Sequence, residues 1–182
     1  MKDNKRNISI ITDADGNRIV IINDILFKGK RSINWSDVEE YLKSFVGDFY
    51  TIEESMDVIY LGSELPSEYA GSIYTKTLKG TIAKAKANAA QGIPELIHTA
   101  SKASFTPNRK RKHQRNAKNG WYKYEARFAL PVYNNEGELE RYNVFKAGLL
   151  IRHAANGKKY LYDVIEIKKE TSRFCQANAL PD

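Results

Sequence analysis

Cysteine is almost absent. Cys175 stands alone in 182 residues, so an internal disulfide and a multi-cysteine metal site are both excluded. Histidine is as sparse. His98, His113 and His153 lie far apart without a His-x-x-x-His spacing, so no zinc site is expected, and no other metal or cofactor. Long apolar runs are missing too: the stretch Ile19 to Ile22 is far too short to cross a bilayer. Met1 to Arg6 leads into polar and alternating sequence rather than the apolar core of a signal peptide, and a cytoplasmic protein is expected. There is no internal repeat and no low-complexity tract. What remains, 42% hydrophobic and 28% charged residues, suits one globular core.

Charge is present but segregated. Lys102 to Arg127 holds nine Lys or Arg (Lys102, Arg109, Lys110, Arg111, Lys112, Arg115, Lys118, Lys123 and Arg127) against Glu125 alone. The whole chain carries only +7, so its basic character belongs to this one segment. Trp35 to Thr75 is the counterweight, with nine acids against Lys43. The basic run leads into the aromatic strand Trp121-Tyr122-Lys123-Tyr124. Cations for phosphates beside flat rings for bases are what a nucleic-acid surface needs. The acidic half is a candidate docking surface for a basic partner.

Local signals give a coarse order of elements. Ile8 to Thr12 and Arg18 to Ile22 are β-branched runs around the turn formers Asp13-Ala14-Asp15-Gly16-Asn17, which predicts a hairpin. Lys28, Lys30 and Arg31 make a basic link, so residues 1–31 are read as a hairpin unit and 32–182 as the main domain. Ser36 with Glu39 forms a capping box for a helix that Gly47 closes, and Asp57 to Leu61 reads as a short strand. Thr81 to Gln91 is an alanine-rich helix, restarted at Pro94, with Lys84, Asn88, Gln91, Glu95 and Lys102 placed on its outward side. Three strands follow, Trp121–Tyr133, Tyr142–His153 and Lys159–Lys169, joined by Asn134-Asn135-Glu136-Gly137 and Ala155-Asn156-Gly157. The tail after Thr171 lacks periodicity and is read as frayed.

Side chains alternate along a strand, so parity separates two faces. Tyr122 to Val132 in even steps, with Phe145, Ala147, Leu149, Ile151, Leu161, Ile165 and Ile167, form the inner face. The outer face presents Lys123, Glu125, Arg127, Arg152, Tyr162, Glu166 and Lys168, and Val144, Lys146, Gly148 and Leu150 also point outward. Asp163 falls on the apolar parity and requires a partner or a rim position. The outer face is an inventory for metal-free RNA cleavage by attack of the 2′-hydroxyl, which needs a base, an acid and cations around the phosphate. Glu125 or Glu95 is the candidate base, His113 the acid, Arg127 the phosphate clamp and Tyr162 a second proton donor. Lys102, Arg109 to Lys112, Arg115, Lys118, Lys123 and Arg152 are the candidate RNA contacts.

Helical Thr81 to Ala103, the basic His-bearing loop, Gly120-Trp121-Tyr122 and the meander ending Tyr160-Leu161-Tyr162-Asp163 together resemble the barnase–EndoU–colicin–RelE ribonuclease-like superfamily, over about half the chain. The resemblance implies an α+β fold, an antiparallel meander with helices packed on one face and cleavage groups on the other, with the hairpin added. Chain length, the hairpin and Lys84 to Glu95 are similar to anti-CRISPR proteins of streptococcal mobile elements. That resemblance implies action in a bacterial host cell on a type II RNA-guided effector nuclease and truncation of its guide RNA. Two other readings stay open: a free-standing toxin-type RNase, and a non-catalytic binder that occludes the effector.

Overall fold

Ile8–Thr12 (β1) and Arg18–Ile22 (β2) form the expected hairpin, and the Asp13 carboxylate accepts the turn amides of Asp15 and Asn17. This computed structural model describes residues 6–29, 31–110 and 117–170; the tail after Thr171 lies outside them. The hairpin is built into the main sheet. β2 runs parallel to Trp121–Tyr133 (β6), with Val20 opposite Phe128 and Ile21 opposite Ala129. Val20 and Ile22 enter the main core, while Ile19 and Ile21 pack with Ala129 and Val144 on the opposite face. A short continuous apolar run marks a strand covered on both sides.

Leu139–His153 (β7) and Lys159–Glu170 (β8) follow β6 as antiparallel neighbours. Phe49–Thr51 (β3) and Val58–Tyr60 (β4) form a second hairpin, and β4 runs parallel to the start of β8. Ser101–Thr106 (β5) pairs with the first part of β6, on the edge that takes β2 further along. The chain is thus mostly β, an eight-stranded mixed sheet curled into a half-barrel. The expected α+β ribonuclease-like fold, an antiparallel meander with helices on one face, is overturned by this finding. The meander β6–β7–β8 is there, because tight turns encode it locally. The two parallel pairings join segments far apart in sequence, which no turn signal marks.

Trp35–Lys43 (α1), Leu65–Gly71 (α2), Ile73–Thr77 (α3), Gly80–Ala89 (α4) and Ile93–Thr99 (α5) add the helical part, with a 3₁₀ turn at Ala90–Gly92. The cap of α1 is Asn34, whose side chain accepts the Ser36 amide, rather than Ser36 itself. Alanines 83, 85, 87 and 89 are all buried, and their small side chains let α4 lie close to its neighbours. Asn88 and Gln91, expected outside, are buried as well. Asn88 accepts the amides of Leu26 and Phe27, and Gln91 donates to the Asp24 carbonyl, so both tie the chain after β2 to the helix. No helix among the described residues is long and apolar enough to cross a membrane.

The partner required by Asp163 is Lys86. The lysine is fully buried on α4, with Nζ 2.6 Å from Asp163 Oδ1 and 2.5 Å from Thr75 Oγ1. The rings of Tyr69 and Tyr74 lie 4.7 and 5.1 Å from the same ammonium. Burial pushes Lys86 down and Asp163 up in pKa, and their mutual attraction opposes both shifts. A register shift between Leu150 and Ile151 passes over Tyr162 and turns Asp163 and Val164 inward. Ile165, expected in the core, is only half-buried for that reason. Removing one member of a buried pair leaves the other charge unpaired, so Lys86→Ala should cost about 3–5 kcal/mol in urea unfolding. Lys86→Met combined with Asp163→Leu should recover most of that loss.

Candidate functional site

Alternation along β6 sends Tyr124, Ala126 and Phe128 inward and leaves Trp121, Lys123, Glu125 and Arg127 on the outer face. Beside the β1–β2 turn this face is hollowed into a cleft of about 580 Å³. Two ionic groups occupy it. Glu125 lies between Lys102 at 3.3 Å and Lys146 at 3.1 Å. Arg127 reaches Asp13 at 2.8 Å and forks onto Glu170.

Register explains the first group. Lys146 is the cross-strand partner of Arg127 and therefore a diagonal neighbour of Glu125. Gly148 is the residue directly opposite Glu125, and a Cβ there would come within 3.2 Å of the Lys123 stem. Lys102 arrives by strained backbone, with φ of 54° in an irregular stretch of β5 between Ser101 and Ser104. Glu166, at φ of 53° in a bulge of β8, holds Lys123 at 2.9 Å on the same face. A left-handed backbone at a long side chain costs on the order of 1–2 kcal/mol. Two such outliers that both deliver a charge to one surface mark that surface as a functional candidate.

Burial works to raise the Glu125 carboxyl, but the hydrogen bonds and charges of Lys146 and Lys102 outweigh it and hold the group below its ordinary value. Asp13 is held low in the same way, by Arg127 and turn amides against burial. Arg127 is raised, first by its hydrogen bond to Glu170. The lining carries four acids (Asp13, Asp15, Glu125, Glu170) and four bases (Arg18, Lys102, Arg127, Lys146), so its fixed charge balances. An anion entering this cleft must compete with carboxylates already in place.

Of the residues nominated from sequence, the cleft brings together Glu125, Arg127 and Lys102. Glu95 does not line it; it sits on α5, paired with Arg6 at 2.6 Å. Tyr162 faces Glu68 and the edge of Trp121, and burial followed by the Glu68 charge pushes its hydroxyl up to about 12. Lys123 pairs with Glu166, and Arg152 lies over the Tyr160 ring, 3.7 Å from Glu64. Arg109 and Lys110 follow β5, where Asn108 accepts the Lys110 amide, and exposed Lys118 precedes β6. Arg111, Lys112, His113 and Arg115 lie outside the described residues. Lys146, Asp13, Arg18 and Glu170 are the residues that sequence reading missed. Outward parity flagged Lys146, but only the register shows that it meets Glu125. Several acids of the N-terminal half are engaged internally, Glu53 by Arg18 and His98, Asp57 by Lys159 and Tyr124.

Among the described residues no three His, Cys, Asp or Glu side chains group to hold a metal. No family model, curated protein or solved structure matches the chain.

Arg127, midway along β6, ties the hairpin turn to the end of β8, so its loss removes the ion pairs with Asp13 and Glu170. Arg127→Ala should lower stability by about 1–3 kcal/mol, read by thermal or urea unfolding. Arg127→Lys, which lacks the planar fork, should restore only part of it.

Proposed function

We propose that this protein is an RNA-directed inhibitor that engages a type II RNA-guided effector nuclease of the host cell and promotes cleavage of its guide RNA. The observation that carries the chemistry is the ionised Glu125 between Lys102 and Lys146 in an open cleft. The likeness of Lys84 to Glu95 and of the hairpin to anti-CRISPR proteins of mobile elements supplies the partner. An RNA phosphate in the cleft draws both lysines toward its oxygens. That exchange removes the cations that depress Glu125 and makes it a better base. Glu125 takes the 2′-hydroxyl proton, the 2′-oxygen attacks phosphorus, and the bond to the 5′-oxygen breaks. The departing oxygen takes a proton from His113, the acid expected from the sequence, and Lys102 and Lys146 offset the charge that builds on the phosphate.

Balanced charge in the cleft favours a second reading, a non-catalytic binder that occludes the effector. The effector–guide complex incubated with the protein, with its RNA then run on a denaturing gel, separates the two. Truncated guide is expected with wild-type protein, and Glu125→Gln should slow cutting by at least about 10²-fold while the complex still forms. Guide that stays intact beside a measurable complex sinks the cleavage reading and leaves the binder. Equal cutting of naked RNA without the effector would instead indicate a free-standing RNase.

A pH profile tests the base. A carboxylate held low is lost only as pH falls through its depressed value, so the acid limb for the free protein should lie below the ordinary 4.5. Replacing Lys102 or Lys146 by Met should move that limb upward.

A further inference from the structure

The far end of the same sheet face carries a feature that the cleft does not use. Register places Phe49 opposite Tyr60, Tyr60 opposite Tyr160, Tyr160 opposite Arg152 and Arg152 opposite Trp121. One row of side chains therefore crosses five strands, β3, β4, β8, β7 and β6. All of it lies on the outer face, because the chain neighbours Tyr50, Ile59, Leu161, Ile151 and Tyr122 pack in or against the core. Ring centroids stand 5.7 Å apart for Phe49 and Tyr60, and 5.8 Å for Tyr60 and Tyr160. Cations are interleaved with the rings: the Arg152 guanidinium is 4.0 Å above Tyr160 and the Lys158 ammonium 4.7 Å above Tyr60.

We infer that Phe49, Tyr60 and Tyr160, with Arg152 and Lys158, form a stacking platform for the bases of single-stranded RNA. The inference rests on the RNA reading above and adds a binding surface separate from the cleft. Phe49 is 61% exposed at the edge of the sheet, where a large ring gains most if a ligand covers it. Gly62 keeps the row open. A Cβ there would lie 3.2 Å from the Tyr160 ring and 3.6 Å from the Arg152 guanidinium, and a hollow of about 540 Å³ lies beside these two residues. At its other end the row reaches Trp121, whose partner Thr106 leads into the basic loop with Arg109 and Lys110. Rings with cations beside them favour a nucleic acid over an apolar peptide, since a base stacks while its phosphate meets the ammonium or guanidinium. Glu64, 3.7 Å from Arg152, offsets part of that charge, so the rings carry most of the affinity. Such stacking tolerates any base, as a surface that must accept guides of differing sequence requires.

The test is fluorescence anisotropy of a labelled oligouridylate of about 12 nucleotides, within the range of known single-strand sites, with the full-length protein. Tyr60→Ala and Tyr160→Ala should each weaken binding about tenfold, Tyr60→Phe should bind as wild type, and duplex RNA should not gain from the rings. Phe49→Ala removes an exposed ring and keeps the fold, so it decides the matter if a tyrosine variant fails to fold; a loss of about fivefold or more is expected. Wild-type binding by folded Phe49→Ala and Tyr160→Ala, while Lys102→Ala and Lys146→Ala weaken it, would overturn the platform and leave the cleft reading standing. Ring variants that keep RNA affinity but lose the effector protein would make the row a protein contact and overturn it as well. Ring-dependent RNA binding with an intact guide on the gel would support the platform and reject cleavage. No oligouridylate binding by wild type would overturn the platform, while the guide gel still decides cleavage.

Discussion

The buried contact between Lys86 and Asp163 is the constraint on which the rest of the structure depends. A desolvated ion pair is tolerable only when every donor and acceptor around it is met, and here Thr75, two tyrosine rings and the Val164 amide meet them. Holding that geometry ties α4 to β8, brings in α3 through Thr75, and places the bulge that passes over Tyr162. Tyr69 locks the other side by donating to the Lys86 carbonyl at 2.5 Å. α3 and α4 are thereby fixed to β8, and the outer face of β6 to β8 is left for other uses.

That outer face is ordered along the strands of β6 to β8. The aromatic row comes first, then the Lys123–Glu166 pair, then Glu125 between its lysines, and last Arg127 with Asp13 and Glu170. In the last three steps charge is already matched by charge. A ligand gains affinity there by exchanging partners with fixed carboxylates, which rewards a well-placed phosphate and penalises diffuse anions. The rings ask for no such exchange, so a single strand can be held at one end and read at the other. The strained backbones at Lys102 and Glu166 belong to this arrangement, since both residues pair with a charge on this face.

Much was legible without coordinates because it is local. Turn residues set the β1–β2 hairpin and the β6–β7–β8 meander, and the period of two assigned Glu125, Arg127 and Lys146 to one face and Phe128 and Phe145 to the other. The odd parity of Asp163 announced a buried partner without saying which residue it was. Less legible was α4, where Asn88 and Gln91 read as polar surface yet are buried because the chain after β2 offers them amides and carbonyls.

Strands β1, β2, β4 and β6 to β8, the alternation of faces in the long strands and the concentration of positive charge in one segment were legible in the chain, since each depends on residues within a few positions of one another. By contrast, β3 was not marked, and Ser101 to Ala103, read as helical, opens β5. Tertiary structure alone decided the parallel joining of β2 to β6 and of β4 to β8, the choice of Lys86 for Asp163, and the separation of Glu95 from the cleft that holds Glu125. The aromatic row belongs to this second group. Phe49, Tyr60, Tyr160 and Trp121 share no local spacing, and they become neighbours only because hydrogen-bond register between distant strands lines them up.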